Sequence, residues 1–268
     1  MANAWFEDRI GAAVAPLLPG FSVEVIDEID STNTELMRRG RSGRTAPVLL
    51  VAERQTAGRG RLGRPWHSAQ MQEAPSSLTF SLGLPLAPRD WSGLSLAVGV
   101  SIAESIDAAQ AARVALKWPN DLWVDDCKLG GILIETALPQ GDANGASPRW
   151  LVIGAGLNIG PREGDGMRTP PAWVQQWSPE ATPQQVLHWL AAPLVRDVLT
   201  FGAQGFAPFA ERFAARDALR GREVQLSDGT AGHCEGVGPG GELRVQTADG
   251  LQSITSSEVS VRPRGMAL

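Results

Sequence analysis

Residues 52–68 read AERQTAGRGRLGRPWHS, and this stretch decides between two classes of fold. Gly58, Gly60 and Gly63 have the spacing G-x-G-x-x-G, which is typical of the dinucleotide-binding turn of a Rossmann fold. In that turn a helix begins at the third glycine, so that the pyrophosphate binds at the helix N-terminus. Here Pro65 follows closely, and the residues beyond it have no helical pattern. The stretch therefore does not support a Rossmann turn, and a P-loop is excluded because the sequence contains no Gly-Lys pair.

Three arginines between and after these glycines leave two interpretations open. The first is a solvated loop in which the arginines are ordinary surface charges. The second is an anion-binding loop, in which glycines let the backbone fold over a ligand. In that case Arg59, Arg61 and Arg64 donate forked hydrogen bonds to phosphate or carboxylate oxygens. Trp66 then closes the loop with a flat apolar surface.

A second segment favours the anion-binding interpretation. All but two of the 24 basic residues are arginines, and both lysines lie in KWPNDLWVDDCK, residues 117–128. A tight turn in this segment carries Lys117, Asn120 and Asp121, and Lys128 begins the next predicted strand. A plain β-turn accounts for Pro-Asn-Asp by itself. A compact lysine charge beside a carboxylate, however, also offers charge neutralisation for a phosphate and a ligand for Mg²⁺.

Two shorter motifs complete the set of candidate binding segments. The predicted strand VIGAGLNIG contains Gly154 and Gly156, and glycines inside a strand often mark the close approach of a ligand. Asn158 follows them in an apolar setting, where its amide needs a hydrogen-bond partner. The motif DSTN, residues 30–33, places small polar side chains between a strand and a helix, where a simple helix cap is the alternative.

The hydrophobic pattern predicts alternating helices and strands, followed by a region of short strands. Helices are predicted over 4–18, over 32–40 with a capping box from Thr32 to Glu35, and over 92–112, 183–203 and 205–218. Strands are predicted over 21–29, 47–55, 76–84, 113–119, 121–127, 128–138 and 149–160, the last two joined by a polar hairpin loop. Residues 161–182 form a long loop, and the segment from Leu219 predicts a small barrel.

Composition excludes several classes of protein. The net charge of −5 argues against a nucleic-acid-binding surface, and no apolar run is long enough to cross a bilayer. The N-terminal segment lacks the basic start of a signal peptide. Cys127 and Cys234 are far apart, as are His67, His188 and His233, so that no metal-ligand cluster is evident. We therefore expect a cytoplasmic protein with free thiols and with neither nucleic acid nor a membrane as partner.

Taken in order, these segments resemble those of the biotin–protein ligases, also called biotin–[acetyl-CoA-carboxylase] ligases. The resemblance covers about residues 21–262. The motifs that carry it are Ser31-Thr32-Asn33, Gln55-Thr56-Ala57-Gly58-Arg59-Gly60-Arg61 with Gly63-Arg64 and Trp66, Lys117-Trp118-Pro119-Asn120-Asp121, Lys128-Leu129-Gly130-Gly131-Ile132-Leu133, and Gly154-Ala155-Gly156-Leu157-Asn158.

The resemblance implies an α+β fold. Its catalytic domain is related to class II aminoacyl-tRNA synthetases, with a mixed sheet and helices packed on one side, and a small SH3-like β-barrel follows. The expected divisions are a helical extension over 1–20, the biotin- and ATP-binding domain over 21–218, the barrel over 219–262 and a tail over 263–268. About twenty residues before the catalytic domain are too few for a DNA-binding domain, so the resemblance implies a monofunctional ligase.

The resemblance also implies a reaction in two steps. Biotin and ATP, which enters with Mg²⁺, give biotinyl-5′-AMP and pyrophosphate. The biotinyl group then passes to one lysine of a biotin carboxyl carrier domain, from acetyl-CoA carboxylase or a related carboxylase. No tightly bound metal or prosthetic group is expected, and the protein is expected to be a monomer or a weak homodimer. The alternatives are a lipoate–protein ligase of the same superfamily and a biotin-binding regulator without ligase activity.

Site residues follow from the matching motifs. The implied catalytic residues are Lys128, Arg59 and Arg61, and Asp121 is implied as a ligand of Mg²⁺. The implied biotin-binding residues are Ser31, Thr32, Asn33, Gln55, Gly58, Arg59, Gly60, Arg61, Lys128, Gly131, Gly154 and Gly156. The implied ATP-binding residues are Arg61, Arg64, Trp66, Lys117, Asn120, Asp121, Asn158 and Trp173.

Overall fold

A computed structural model describes six parts of the chain, residues 5–66, 70–71, 74–138, 148–162, 169–255 and 261–263. The helices are α1 (Glu7–Val14), α2 (Thr32–Arg41), α3 (Leu94–Ile106), α4 (Pro183–Gln204) and α5 (Ala210–Ala214). The strands of the first two thirds are β1 (Ser22–Ile29), β2 (Val48–Gln55), β3 (Gln70–Met71), β4 (Ala74–Pro75), β5 (Ser77–Leu86), β6 (Ala115–Lys117), β7 (Asp121–Val124), β8 (Cys127–Ala137) and β9 (Arg149–Asn158). The remaining strands are β10 (Glu223–Leu226), β11 (Ala231–Val237), β12 (Leu243–Thr247), β13 (Gly250–Ile254) and β14 (Val261–Pro263).

Some predictions lie outside the described residues. They concern the hairpin loop over 139–147, the middle of the long loop over 163–168, His67, and the tail beyond 263. Within the described parts of the chain, no helix is both long and apolar enough to cross a membrane.

Seven strands form the main sheet, in the order β1-β2-β5-β9-β8-β7-β6. Strands β1 and β2 are parallel, because helix α2 connects them as a crossover, and every other neighbouring pair is antiparallel. Strands β8 and β9 pair along their length from Gly130 with Leu157 to Ala137 with Trp150. The predicted mixed sheet and its β8–β9 hairpin are therefore confirmed.

The two faces of this sheet carry different helices. Alternate residues of a strand point to opposite faces, and Leu49 and Val51 of β2 belong to the large core that includes α1, α3 and α4. Val48 and Leu50 of the same strand pack instead with residues of α2. The expected arrangement with all helices on one side is therefore wrong for α2, which covers part of the second face. That face also carries the cavity described below.

The start and end of α2 differ from the prediction. Ser31, not Thr32, is the N-cap, because its side chain accepts a hydrogen bond from the backbone N–H of Thr34. The helix also continues through Gly40 to Arg41. Gly40 contacts the indole of Trp150, where an added Cβ would lie 2.1 Å from Cδ1, so that this glycine serves packing and not helix termination.

Helix α3 ends at Ile106, six residues before the predicted end. The Asp107 carboxylate accepts hydrogen bonds from the backbone N–H groups of Ala112 at 3.1 Å and Val114 at 3.0 Å. These bonds satisfy donors that would otherwise need the next helical turn, and they lead the chain into β6.

The C-terminal region forms a five-stranded antiparallel sheet in the order β13-β12-β11-β10-β14. Its buried side chains, such as Val224 and Val245, belong to the same core as the main sheet. Trp118 Nε1 donates to the carbonyl oxygen of Gly241 at 3.0 Å, which ties this sheet to the turn after β6. The predicted region of short strands is confirmed, whereas the SH3-like barrel and the division after residue 218 stay predictions.

Candidate active site

A cavity of about 190 Å³ lies on the α2 face of the main sheet. Most of the predicted site residues line it, namely Ser31, Thr32, Asn33, Gln55, Arg59, Gly60, Arg61, Arg64, Trp66, Lys117, Asn120, Asp121, Lys128, Gly131, Gly154 and Gly156. The other lining residues are Leu62, Pro65, Phe80, Pro119, Ile132, Leu133 and Ala155. The fold thus brings together motifs that are more than a hundred residues apart in the sequence.

Three predicted residues do not line this cavity. An added Cβ on Gly58 would lie 2.4 Å from the carbonyl oxygen of Trp66, so this glycine allows a close backbone contact. Asn158 donates through Nδ2 to the carbonyl oxygens of Lys128 and Ala172, at 3.1 and 2.9 Å. Trp173 is half-buried, at the start of a short 3₁₀-helix. Ligand binding by these three residues stays a prediction.

The glycines of β9 form the floor of the cavity. An added Cβ on Gly154 would lie 2.1 Å from Asn33 Oδ1, and one on Gly156 would lie 2.4 Å from Trp66 Cε2. Both glycines therefore make room for side chains that cross the strand. This is a more specific role than the close approach of a ligand to bare backbone.

One end of the cavity is polar and neutral. The Thr32 backbone N–H donates to Gln55 Oε1 at 2.8 Å, and the buried hydroxyl oxygen of Ser81 lies 2.7 Å from Thr32 Oγ1. The same Ser81 oxygen lies 2.6 Å from Asn33 Oδ1. Linked donors and acceptors of this kind suit a neutral polar group, because each can pair with one edge of such a ligand.

The other end of the cavity is cationic. Lys128 Nζ lies 2.7 Å from Asp121 Oδ1, and Lys117 Nζ lies 3.8 Å from Asp121 Oδ2. Arg61 Nη1 donates to Asn120 Oδ1 at 3.5 Å, on the same side. Three neighbouring strands position these groups, because Lys117 ends β6 and pairs with Asp121 at the start of β7, and Lys128 lies near the start of β8.

The charges at this end are only partly neutralised. Burial lowers the pKa of Lys117 from its ordinary value; the Asp121 carboxylate opposes this effect, and the Lys128 charge adds to it. Burial also lowers the pKa of Arg61, and the nearby Arg64 acts in the same direction. A bound anion would reverse these shifts, so this end of the cavity suits a phosphate or carboxylate.

The predicted Mg²⁺ ligand is engaged in ion pairs. Both Asp121 oxygens face lysine ammonium groups, and a cation would have to displace Lys128 to reach Oδ1. Over the ranges that the structure describes, no group of three or more His, Cys, Asp or Glu side chains could hold a metal ion. A Mg²⁺ ion that enters with ATP would be held by substrate phosphates as well as by protein carboxylates. Direct ligation by Asp121 stays a prediction.

Residues 56–66 form a folded flap over the cavity. The backbone N–H of Thr56 donates to the carbonyl oxygen of Ile29 at 2.8 Å at the base of the flap. Within it, Gly60 N–H donates to the Arg64 carbonyl oxygen at 2.7 Å, and Trp66 N–H donates to that of Gly58 at 2.9 Å. The Gly/Arg stretch is therefore an ordered structure and not simply a solvated loop.

Three polar residues next to the cavity were not predicted. Ser81 lies on β5, and the guanidinium of Arg162 lies 5.6 Å from the ring centre of Trp66. Glu135 on β8 is bound by Arg59 of the flap and by Asn33. A signal existed only for Glu135, which is an acidic residue in an apolar strand and shares a face with Gly131.

Comparison with known proteins identifies the family. Residues 25–158 match the biotin/lipoate A/B protein ligase family. They make up half of the chain and include every residue that lines the cavity. The chain belongs to this family. This ligase is 34% identical to the bifunctional ligase/repressor BirA of Escherichia coli over 252 residues, which cover 91% of this chain and 75% of that protein. It is 31% identical to the biotin–[acetyl-CoA-carboxylase] ligase of Paracoccus denitrificans over 240 residues, 86% of this chain and 96% of that one.

A solved structure supports the same relationship. The biotin protein ligase of Aquifex aeolicus, in complex with biotin and ATP, superposes on this ligase with a TM-score of 0.74. The two are 26% identical, and the match covers 90% of this chain and 98% of the other.

Proposed function

We propose that this ligase joins biotin to a lysine of a biotin carboxyl carrier domain, with ATP as the activating substrate and biotinyl-5′-AMP as the intermediate. The observation that carries the proposal is the division of the cavity into a neutral polar end and a cationic end beneath one flap. Biotin has the matching division, with a neutral ureido ring at one end and a carboxylate at the other. Relatives named biotin–[acetyl-CoA-carboxylase] ligase and a neighbour that binds biotin and ATP support it.

In the proposed first step, a biotin carboxylate oxygen attacks the α-phosphorus of ATP. A new P–O bond forms, the bond to the β-phosphate breaks, and pyrophosphate leaves with Mg²⁺. Two unit charges 4 Å apart repel by about 4 kcal/mol at an effective dielectric constant of about 20, so the reactants need cationic groups between them. Lys128 and Arg61 supply these charges at the cationic end. No enzyme base is required, because the carboxylate is already ionised at neutral pH.

In the proposed second step, the amine of an acceptor lysine attacks the acyl carbon of biotinyl-5′-AMP. An amide bond forms, the bond between acyl carbon and phosphate oxygen breaks, the amine nitrogen releases one proton to solvent, and AMP leaves. Lys128 and Arg61 stabilise the charge that develops on the phosphate, because both lie at the end where the phosphate binds.

The neutral end of the cavity favours biotin over lipoate. The ureido group of biotin has two N–H donors and a carbonyl acceptor, which the Thr32, Gln55 and Ser81 network can satisfy. The dithiolane ring of lipoate has no such donors. Lipoate would therefore gain no hydrogen bonds from this network, so we expect biotin to bind more tightly.

The test is transfer to an isolated biotin carboxyl carrier domain with MgATP and either biotin or lipoate, followed by intact-mass spectrometry. We expect one biotin per acceptor, and a rate at least about a hundredfold lower for Lys128→Ala and for Arg61→Ala. Arg38→Ala serves as a control, because Arg38 forms exposed ion pairs with Asp30 and Glu35 and does not line the cavity. Transfer of lipoate instead of biotin, or biotin binding without transfer, would contradict the proposal.

A further inference from the structure

We propose that Glu135 is a positioning residue that anchors the flap over the cavity by holding Arg59. The inference rests on the function proposed above and adds a residue to it. Arg59 Nη2 lies 3.0 Å from Glu135 Oε1 and 2.9 Å from Oε2, so that one guanidinium nitrogen contacts both carboxylate oxygens. The flap and β8 are far apart in the sequence, and this ion pair connects them directly.

The flap crosses the width of the cavity floor to form this ion pair. The flap leaves the sheet after β2, and Glu135 lies on β8, with β5 and β9 between these two strands. Three strand spacings amount to about 14 Å. The flap must therefore extend over Gly154 and Gly156 of β9 to make this contact, and a ligand on that floor lies beneath it.

Glu135 is itself held in place from the cavity side. Asn33 Nδ2 donates to Glu135 Oε2 at 3.0 Å and to the Leu133 carbonyl oxygen at 3.3 Å. The other atom of that amide, Oδ1, lies 2.6 Å from Ser81 Oγ. The half-buried carboxylate that receives Arg59 is thus joined through Asn33 to the polar network of the cavity.

This contact gives Arg59 and Arg61 of the flap different roles. The charge of Arg59 is neutralised by Glu135, while Arg61 faces Asn120 and Asp121 at the cationic end. Arg59 was predicted to bind the activated acid. The geometry instead assigns its guanidinium to flap closure, and Arg61 is the arginine that binds the anion at the cationic end.

Loss of the anchor should affect ligand exit more than chemistry. A flap that opens more often lets biotin dissociate faster, whereas the groups at the cationic end remain in place. The alternative is that Glu135 competes with the ligand for Arg59, and removal of its charge would then make biotin bind more tightly. The two roles predict opposite changes in affinity.

The test compares Glu135→Gln with Glu28→Gln in the full-length protein. The glutamine introduced by Glu135→Gln can still accept from Asn33 but cannot form an ion pair with Arg59. Glu28→Gln removes an exposed ion pair with Arg54 between β1 and β2, away from the cavity. Biotin dissociation is followed by stopped-flow tryptophan fluorescence, since Trp66 belongs to the flap. Biotin-dependent exchange of pyrophosphate into ATP at saturating substrates reports the chemical step, and thermal unfolding reports folding.

We expect the biotin dissociation rate of Glu135→Gln to rise by about tenfold, because the flap loses one charge-assisted hydrogen bond. Its saturated exchange rate and unfolding temperature should stay close to those of the wild type, as should all values for Glu28→Gln. Arg59→Gln combined with Glu135→Gln should raise the dissociation rate no further than either single change. If biotin dissociates from Glu135→Gln at an unchanged or slower rate, the anchoring role of Glu135 is wrong, while the proposed function still stands. Failure of the wild type to bind biotin would overturn the proposed function, and the anchor with it.

Discussion

At Gly156, a single hydrogen in place of a side chain leaves space for the indole of Trp66. We predict that Gly156→Ala lowers kcat/KM for biotin transfer by about tenfold, because its Cβ would lie 2.4 Å from Trp66 Cε2 and displace the end of the flap. The unfolding temperature should change little, since the half-buried Trp66 can move toward solvent. Steady-state release of pyrophosphate and thermal unfolding measure the two effects. Full activity in this variant would show that Trp66 need not rest on β9.

Residues of a type that is rare in this chain were correctly expected to lie together, whereas residues distinguished only by their partners were missed. Lys117 and Lys128 are conspicuous because the chain uses lysine nowhere else, and Asp121 lies in the segment between them. Ser81 looks like an ordinary strand residue, and Glu135 stands out only as an acidic residue in an apolar strand. Their partners come from α2 and from the flap, which lie far away in sequence, so no local pattern could identify those contacts.

Among the secondary-structure elements, α2 depends on its contact with β9. Trp150 of β9 is fully buried, and its Nε1 donates to the Leu36 carbonyl oxygen at 2.8 Å while its ring lies against Gly40. We predict that Gly40→Ala lowers the free energy of unfolding by about 1–3 kcal/mol, because the added Cβ overpacks this contact. Chemical denaturation measures the change.

The kinetics of the same variant provide its control. Gly40 does not line the cavity, so the folded fraction of Gly40→Ala should keep the wild-type KM for biotin. This is the reverse of the pattern expected for Gly156→Ala, which should lose activity and keep stability. In α1, an added Cβ on Gly11 meets no atom within 4 Å. Gly11→Ala should therefore change the free energy of unfolding by no more than about 1 kcal/mol and should leave the KM for biotin unchanged.

The predicted helices and strands are correct in type, and their errors lie at their ends, whereas the short strands β3 and β4 were not predicted. The predicted capping box at Thr32 and Glu35 has the right spacing, but the Thr32 hydroxyl faces Gln55 and Ser81, and Arg39 binds Glu35. Both side chains are therefore engaged elsewhere, and Ser31 caps the helix. Spacing identifies residues that could form a cap, whereas tertiary partners decide which one does.

At the scale of the whole molecule, the C-terminal sheet shares its core with the main sheet. The Trp118 indole bonds to Gly241, Arg222 forms a two-bond ion pair with Asp126, and the apolar side chains form one continuous cluster. We predict a single cooperative transition in calorimetry, with equal calorimetric and van't Hoff enthalpies. Two resolved transitions would show that the sheets fold separately.

Trp118→Phe tests the connection itself. It removes the Nε1 donor and leaves the Gly241 carbonyl oxygen without this partner, which should lower the free energy of unfolding by about 1–3 kcal/mol. If the two sheets are coupled, the whole transition should shift to lower temperature as one. A shift confined to part of the transition would contradict the shared core.

The class of fold could be predicted, but the order of its strands could not. Neighbours along the chain, such as β8 and β9, read as hairpins from their pattern alone. The pairing of β5 with β9 joins Ser77 to Asn158, and nothing local specifies it. Because the cavity floor depends on this pairing, its position could be expected only from the family resemblance.

The scarcity of lysine has a practical consequence for handling the protein. Both lysine side chains line the cavity, with 35% of the Lys128 side chain and 9% of the Lys117 side chain exposed. Amine-reactive dyes, crosslinkers and sensor surfaces therefore have Lys128 as their accessible lysine, and coupling through it blocks the cavity. The same chemistry makes a footprint of occupancy: a succinimidyl ester that labels Lys128 in the free protein is expected to leave it unlabelled when ligand fills the cationic end.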